Sequence, residues 1–111
     1  MSVPAHTVAV IAAALALVGG PAAAADIEAG KKKAQEVCAA CHNLDGVSTI
    51  PENPKLAGQY PDYLAKALRD YKSGARKNPI MAGMAQGLSQ KDIDDVSAYF
   101  ASQSAVLATR M

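Results

Sequence analysis

The chain's two cysteines stand at Cys38 and Cys41, and a histidine follows the second directly, in Cys38-Ala39-Ala40-Cys41-His42. Two thiols three positions apart with an adjoining imidazole can do one distinctive piece of chemistry. The sulfurs form thioethers to the two vinyl groups along one edge of a haem, and the imidazole swings under the ring to ligate iron. Five residues then supply both covalent bonds and the proximal ligand. Three other uses compete for the same side chains. One is a structural disulfide between Cys38 and Cys41 in an oxidising compartment. Another is a dithiol oxidoreductase, which would set the pair beside a βαβ pattern that this sequence lacks. The third is zinc, which wants more ligands than are available after His42.

An electron-carrying haem iron needs a second axial ligand, because an open position invites oxygen chemistry. His6 lies in a segment expected to be removed, which leaves Met81 and Met84, in Pro79-Ile80-Met81-Ala82-Gly83-Met84. Core filling is the commoner fate of a methionine, and the spacing alone does not choose between the two.

The elements that must position these groups read as helices. Asp26 can cap a first helix running to about Cys38, with Ile27, Gly30, Ala34 and Val37 on one face. Residues 43–60 carry Gly46, Pro51, Pro54 and Gly58 without a sustained period and read as a long loop, which in so small a domain usually wraps something. Pro61 suits the first turn of a second helix whose apolar stripe is Tyr63, Leu64, Ala67, Leu68 and Tyr71, ended by Gly74. A second irregular stretch is expected over 75–88. Ser89 and Asp92 then form a capping box in its Asp version, opening a last helix with Ile93, Val96 and Phe100 on its buried face. With no strand-like alternation, the expected class is all-α: three main helices and two long loops.

The first 25 residues do not read as part of that unit. An apolar run from Val8 to Val18 is followed by Gly19-Gly20-Pro21 and then by alanines, the order of a secretory signal peptide. Ala23 and Ala25 satisfy the small-x-small rule for cleavage after Ala25, leaving a domain over 26–111 that acts outside the cytoplasm. A retained N-terminal anchor is the competing reading, and the usual positive charge ahead of the apolar run is missing. All eleven Lys and Arg and all ten Asp and Glu lie from Asp26 onward. The domain is therefore nearly neutral and has no electrostatic footprint for nucleic acid. It is also short of large aliphatics and in a size range where a core alone is marginal. There is no Ser/His/Asp set, no paired carboxylates in an evident cleft and no phosphate loop, so the chain reads as a carrier and not an enzyme.

Taken together, these features resemble a class I c-type cytochrome, closest to a single-haem member of the cytochrome c4 and c553-like group. The resemblance runs from Ile27 to Ser102. It rests on Gly30 ahead of the Cys-x-x-Cys-His motif, Pro54-Lys55-Leu56-Ala57-Gly58-Gln59, Tyr63-Leu64, Gly74-Ala75-Arg76, Met81-Ala82-Gly83-Met84, Leu88-Ser89 and Ala98-Tyr99-Phe100. It implies a cytochrome c fold wrapped around one covalent haem c, with His42 and Met81 as the axial ligands and Met84 as core. It also implies that the Pro54 carbonyl accepts the other imidazole proton of His42. Gly30 would let the last helix cross closely, against Tyr99 or Phe100, and Gln59 and Arg76 are candidates near the haem propionates. Asn43 departs from the glycine that relatives commonly carry there, and Asn tolerates a left-handed backbone better than most residues. The implied role is a periplasmic single-electron carrier, the alternative a haem c subunit of a periplasmic dehydrogenase or oxidase. Redox proteins such as a terminal oxidase or dehydrogenase are the implied partners, with at most peripheral membrane association. Lys31, Lys32, Lys33, Lys55, Lys66, Lys72 and Lys77 could form a docking ring, although charges so interspersed usually serve solubility.

Overall fold

The structure is a computed structural model and describes residues 2–5 and 24–104. Most of the expected signal peptide, His6 included, lies outside those residues. Among the described residues there is no strand, and the elements in chain order are α1 (Ile27–Val37), α2 (Ala39–His42), α3 (Pro61–Ser73), α4 (Pro79–Gln86) and α5 (Gln90–Ser102). No described helix is long and apolar enough to cross a membrane.

Local chemistry sets the helix ends. The Asp26 side chain accepts from Ala29 N at 3.0 Å and starts α1. Pro61 opens α3, and Gly74 closes it with a φ of 84°, a left-handed conformation that costs glycine little. At α5 both arms of the capping box form: Asp92 N donates to Ser89 Oγ and Ser89 N to Asp92 Oδ2, each at 3.0 Å. The Ser89 N–H also holds the Asp92 carboxyl below the usual carboxylate range.

One element differs from the sequence reading. The stretch 75–88, expected to be irregular, contains α4. Its start is an Asn-Pro signal: Asn78 Oδ1 accepts from Ile80 N and Met81 N, both at 3.0 Å, and Pro79 occupies the first turn, where its missing N–H costs nothing. Its far end is stitched to α3. Gln86 Nε2 donates to Lys72 O at 2.8 Å, and Lys72 Nζ donates to Leu88 O.

α1 and α5 cross at Gly30. A Cβ there would lie 2.0 Å from the Asp95 carbonyl oxygen and 3.0 Å from Tyr99 Cβ, so only hydrogen fits. The expected close crossing is present, made against Asp95 and Tyr99. Ile27, expected on the buried stripe, is 44% exposed because it stands at the helix start, before the crossing point. The loop 43–60 is tied down onto α5: Tyr99 Oη donates to Leu44 O at 2.6 Å and Gly58 N to Phe100 O at 3.0 Å.

The protein core is thin. One cluster joins Ala34, Leu64, Tyr99 and Phe100, with Cys38, Leu44 and Leu56 packed against it. A second joins Ala65, Leu88 and Ile93, flanked by Val37 and Leu68. Ser97 on α5 is buried, and its Oγ has no hydrogen-bond partner among the described residues. A buried, unpaired hydroxyl costs roughly 1–3 kcal/mol. Ser97→Ala is therefore expected to stabilise the protein by about 1 kcal/mol, read as a higher denaturant midpoint at unchanged slope.

Candidate functional site

α1 ends at Cys38 and the single turn α2 follows at once, which places Cys38, Cys41 and His42 on one wall of a crevice. The turn is held by its own backbone, with Cys41 N and His42 N both donating to Cys38 O, at 3.2 and 3.0 Å. Both thiols are free, and burial pushes that of Cys38 up to about 11, whereas Cys41 is exposed. Asn53 Nδ2 donates to Cys41 O at 2.9 Å and fastens the following loop to the turn.

His42 is only 6% exposed, and its Nδ1 lies 2.9 Å from the Pro54 carbonyl oxygen. A carbonyl can only accept, so Nδ1 must carry the proton, and the lone pair is left on Nε2. One main-chain oxygen thus fixes both the tautomer and the plane of the ring, as the partner of a metal-bound imidazole does.

The turn after His42 survives without glycine. Asn43 has φ 60° and ψ 155°, outside the compact left-handed basin and in a region that only glycine enters easily. Its side chain offsets part of that strain by donating from Nδ2 to Val47 O at 2.8 Å.

The crevice has a volume of about 500 Å³ and is lined mainly by apolar side chains. α3 contributes Tyr63, Leu64, Ala67, Leu68 and Tyr71, the whole of its predicted stripe, while α5 contributes Val96 and Phe100. α4 presents both Met81 and Met84 to the same space. Met84, expected as core, is 43% exposed and stands on the crevice wall, because α4 packs chiefly against α3 and turns its methionine side to the opening. Pro54, Gln59 and Arg76 also line the crevice, and the Arg76 guanidinium sits 4.8 Å from the centre of the Tyr71 ring.

Every expected site residue therefore reaches one crevice: Cys38, Cys41, His42, Pro54, Gln59, Arg76 and Met81. The lysine ring does not gather with them. Lys33 pairs with Glu36 and Asp92, Lys66 with Asp70, and Lys72 with a main-chain oxygen, and of the seven only Lys55 lines the opening. Sequence reasoning missed Asn53, whose tie to Cys41 has no local signature, and Asn78, whose Asn-Pro start could have been read.

The Cytochrome c family profile matches residues 27–104. The chain is 49% identical over 89 residues to cytochrome c4 of Pseudomonas aeruginosa, covering 80% of this chain and 44% of that protein. It is 43% identical over 83 residues to cytochrome c-554(548) of Halomonas halodenitrificans, covering 72% of this chain and 99% of the relative. The crystal structure of reduced recombinant cytochrome c4 from Pseudomonas stutzeri superposes with a TM-score of 0.68 at 47% identity, over 73% of this chain and 47% of that one. The chain thus spans about half the length of the cytochromes c4 it matches, and nearly all of the shorter relative.

Proposed function

Because the chain belongs to the cytochrome c family, we propose that it is a periplasmic single-electron carrier with one haem c, held through Cys38 and Cys41. The cofactor is covalent haem of the family's kind, and two cysteines suffice for one attachment. Bound there, the haem would supply a reversible one-electron couple.

The observation that carries the reading is the His42–Pro54 contact. A buried imidazole with Nδ1 committed at 2.9 Å leaves the Nε2 lone pair free to ligate a metal. The apolar crevice fits a porphyrin, and burial with His/Met ligation favours a raised reduction potential. Met81 is the distal ligand in this reading, with Gln59 and Arg76 near the propionates. The chain's own residues fix the ring of His42, line the crevice with apolar side chains and place Lys55 and Arg76 along it, and no catalytic role is assigned to any of them. The N-terminal 25 residues act as the export signal. Redox proteins such as a terminal oxidase or dehydrogenase are the partners.

Oxidised and reduced visible spectra of protein made with haem-maturation machinery test attachment and ligation together. The ferric form is expected to show the methionine-to-iron charge-transfer band, and Met81→Ala to abolish it and let the ferrous form bind carbon monoxide. Retention of the band in Met81→Ala, with its loss in Met84→Ala, would move the ligand to Met84.

A further inference from the structure

The main-chain nitrogen of Asp26 donates to Oδ1 of Asp95 at 2.8 Å, across 69 positions of sequence. Asp95 is 4% exposed, and its second oxygen receives Lys91 Nζ. A buried carboxylate is costly unless charge reaches it. The Lys91 side chain is 67% exposed, so water screens it, while a peptide N–H offers only a neutral donor.

That same nitrogen lies at the junction where the small-x-small pattern of Ala23 and Ala25 places cleavage. Ala24, Ala25 and Asp26 are all exposed. Hydrolysis of the Ala25–Asp26 amide by the exporting cell's signal endopeptidase adds water across the bond. Ala25 leaves as a carboxylate with the leader, and Asp26 keeps the nitrogen as an amine, which takes up a proton at neutral pH.

We infer that Asp95 is a receptor for the mature α-amino group: processing turns the Asp26–Asp95 hydrogen bond into a partly buried ion pair that locks the start of α1 onto α5. The inference rests on the export of the chain proposed under its function. An ammonium at a helix N-terminus is opposed by the helix dipole. Here the Asp26 carboxylate, which caps Ala29 N, and the Asp95 carboxylate offset it. Lys91 already pairs with Asp95, and Asp26 and Asp92 also act on Lys91.

The test uses the full chain, exported and loaded with haem. Intact mass and N-terminal sequencing are expected to give Asp26 as the first residue. Acylation of its α-amine near neutral pH should run at least tenfold slower than in an unfolded peptide of the same start, and Asp95→Asn should restore the fast rate with the haem spectrum unchanged. Should Asp95→Asn not fold, a chain that begins one residue earlier, at Ala25, keeps Asp95 but returns an amide to Asp26. Its unfolding equilibrium constant is expected to rise about tenfold. A leader removed at another bond, equal labelling of folded protein and peptide, or unchanged stability of the Ala25 start would each overturn the inference and leave export standing. A chain that is never exported would overturn both.

Discussion

Replacing Cys38 and Cys41 together with alanine is expected to abolish covalent haem and, with it, the cooperative fold. Haem staining on a denaturing gel should be lost, and thermal melting followed by circular dichroism should show no sigmoidal transition in the haem-free chain. The reason is the thinness of the core. The large apolar side chains almost wholly enclosed are few, Phe100, Ile93, Val96 and Leu88, and the two small clusters adjoin a crevice of about 500 Å³. Tyr63, Ile80 and Met84 line it and are 52%, 67% and 43% exposed. Apolar burial contributes about 25 cal/mol per Å², so withholding a large apolar occupant removes several kcal/mol from a net stability of only about 5–15 kcal/mol. A cooperative melt in the haem-free double variant would refute the argument. Haem held without covalent bonds would show as a retained visible spectrum that is lost on denaturation.

Gly30→Ala is expected to be the most damaging single substitution on the surface where α1 meets α5. The added carbon would lie 2.0 Å from the Asp95 carbonyl oxygen and 2.5 Å from its carbon, and both are helix backbone that cannot step aside. The helices must separate, which pulls Tyr99 and Phe100 away from Ala34. Overpacking ordinarily costs about 1–3 kcal/mol. A main-chain obstacle at the central crossing puts this case at the upper end or beyond, ~3 kcal/mol or more. Urea unfolding of the haem-loaded protein measures it, and a loss under about 1 kcal/mol would mean that the two helices can part without disturbing the core.

How much could be read beforehand depended on whether a signal was local. Cys38, Cys41 and His42 are adjacent, so their placement together on one crevice was legible, as were the stripe of α3 and the Ser89–Asp92 capping box. α4 was not, because it faces a crevice and otherwise chiefly α3, so Pro79-Ile80-Met81-Ala82-Gly83-Met84 shows no amphipathic period. Its Asn78-Pro79 start was readable, but the residues after it lend that start no support. Ile27 was misplaced for a related reason: periodicity tells which residues are apolar, not whether the element's end takes them. The Asp26–Asp95 contact spans 69 positions, and no short-range pattern reports it.

The anchoring of the loop 43–60 also sets an order of events in time. The Pro54 carbonyl that aims His42 belongs to a segment held by Phe100 O and by the Tyr99 hydroxyl, both on α5. In the export proposed above, a chain delivered amino end first would present Cys38 through His42 before those anchors exist. At that stage the thiol of Cys38 is in water, without the burial that raises it to about 11 in the folded protein. Docking of the last helix buries Cys38 against Tyr99 and Phe100, so the attachment proposed above would belong before that docking and not after it.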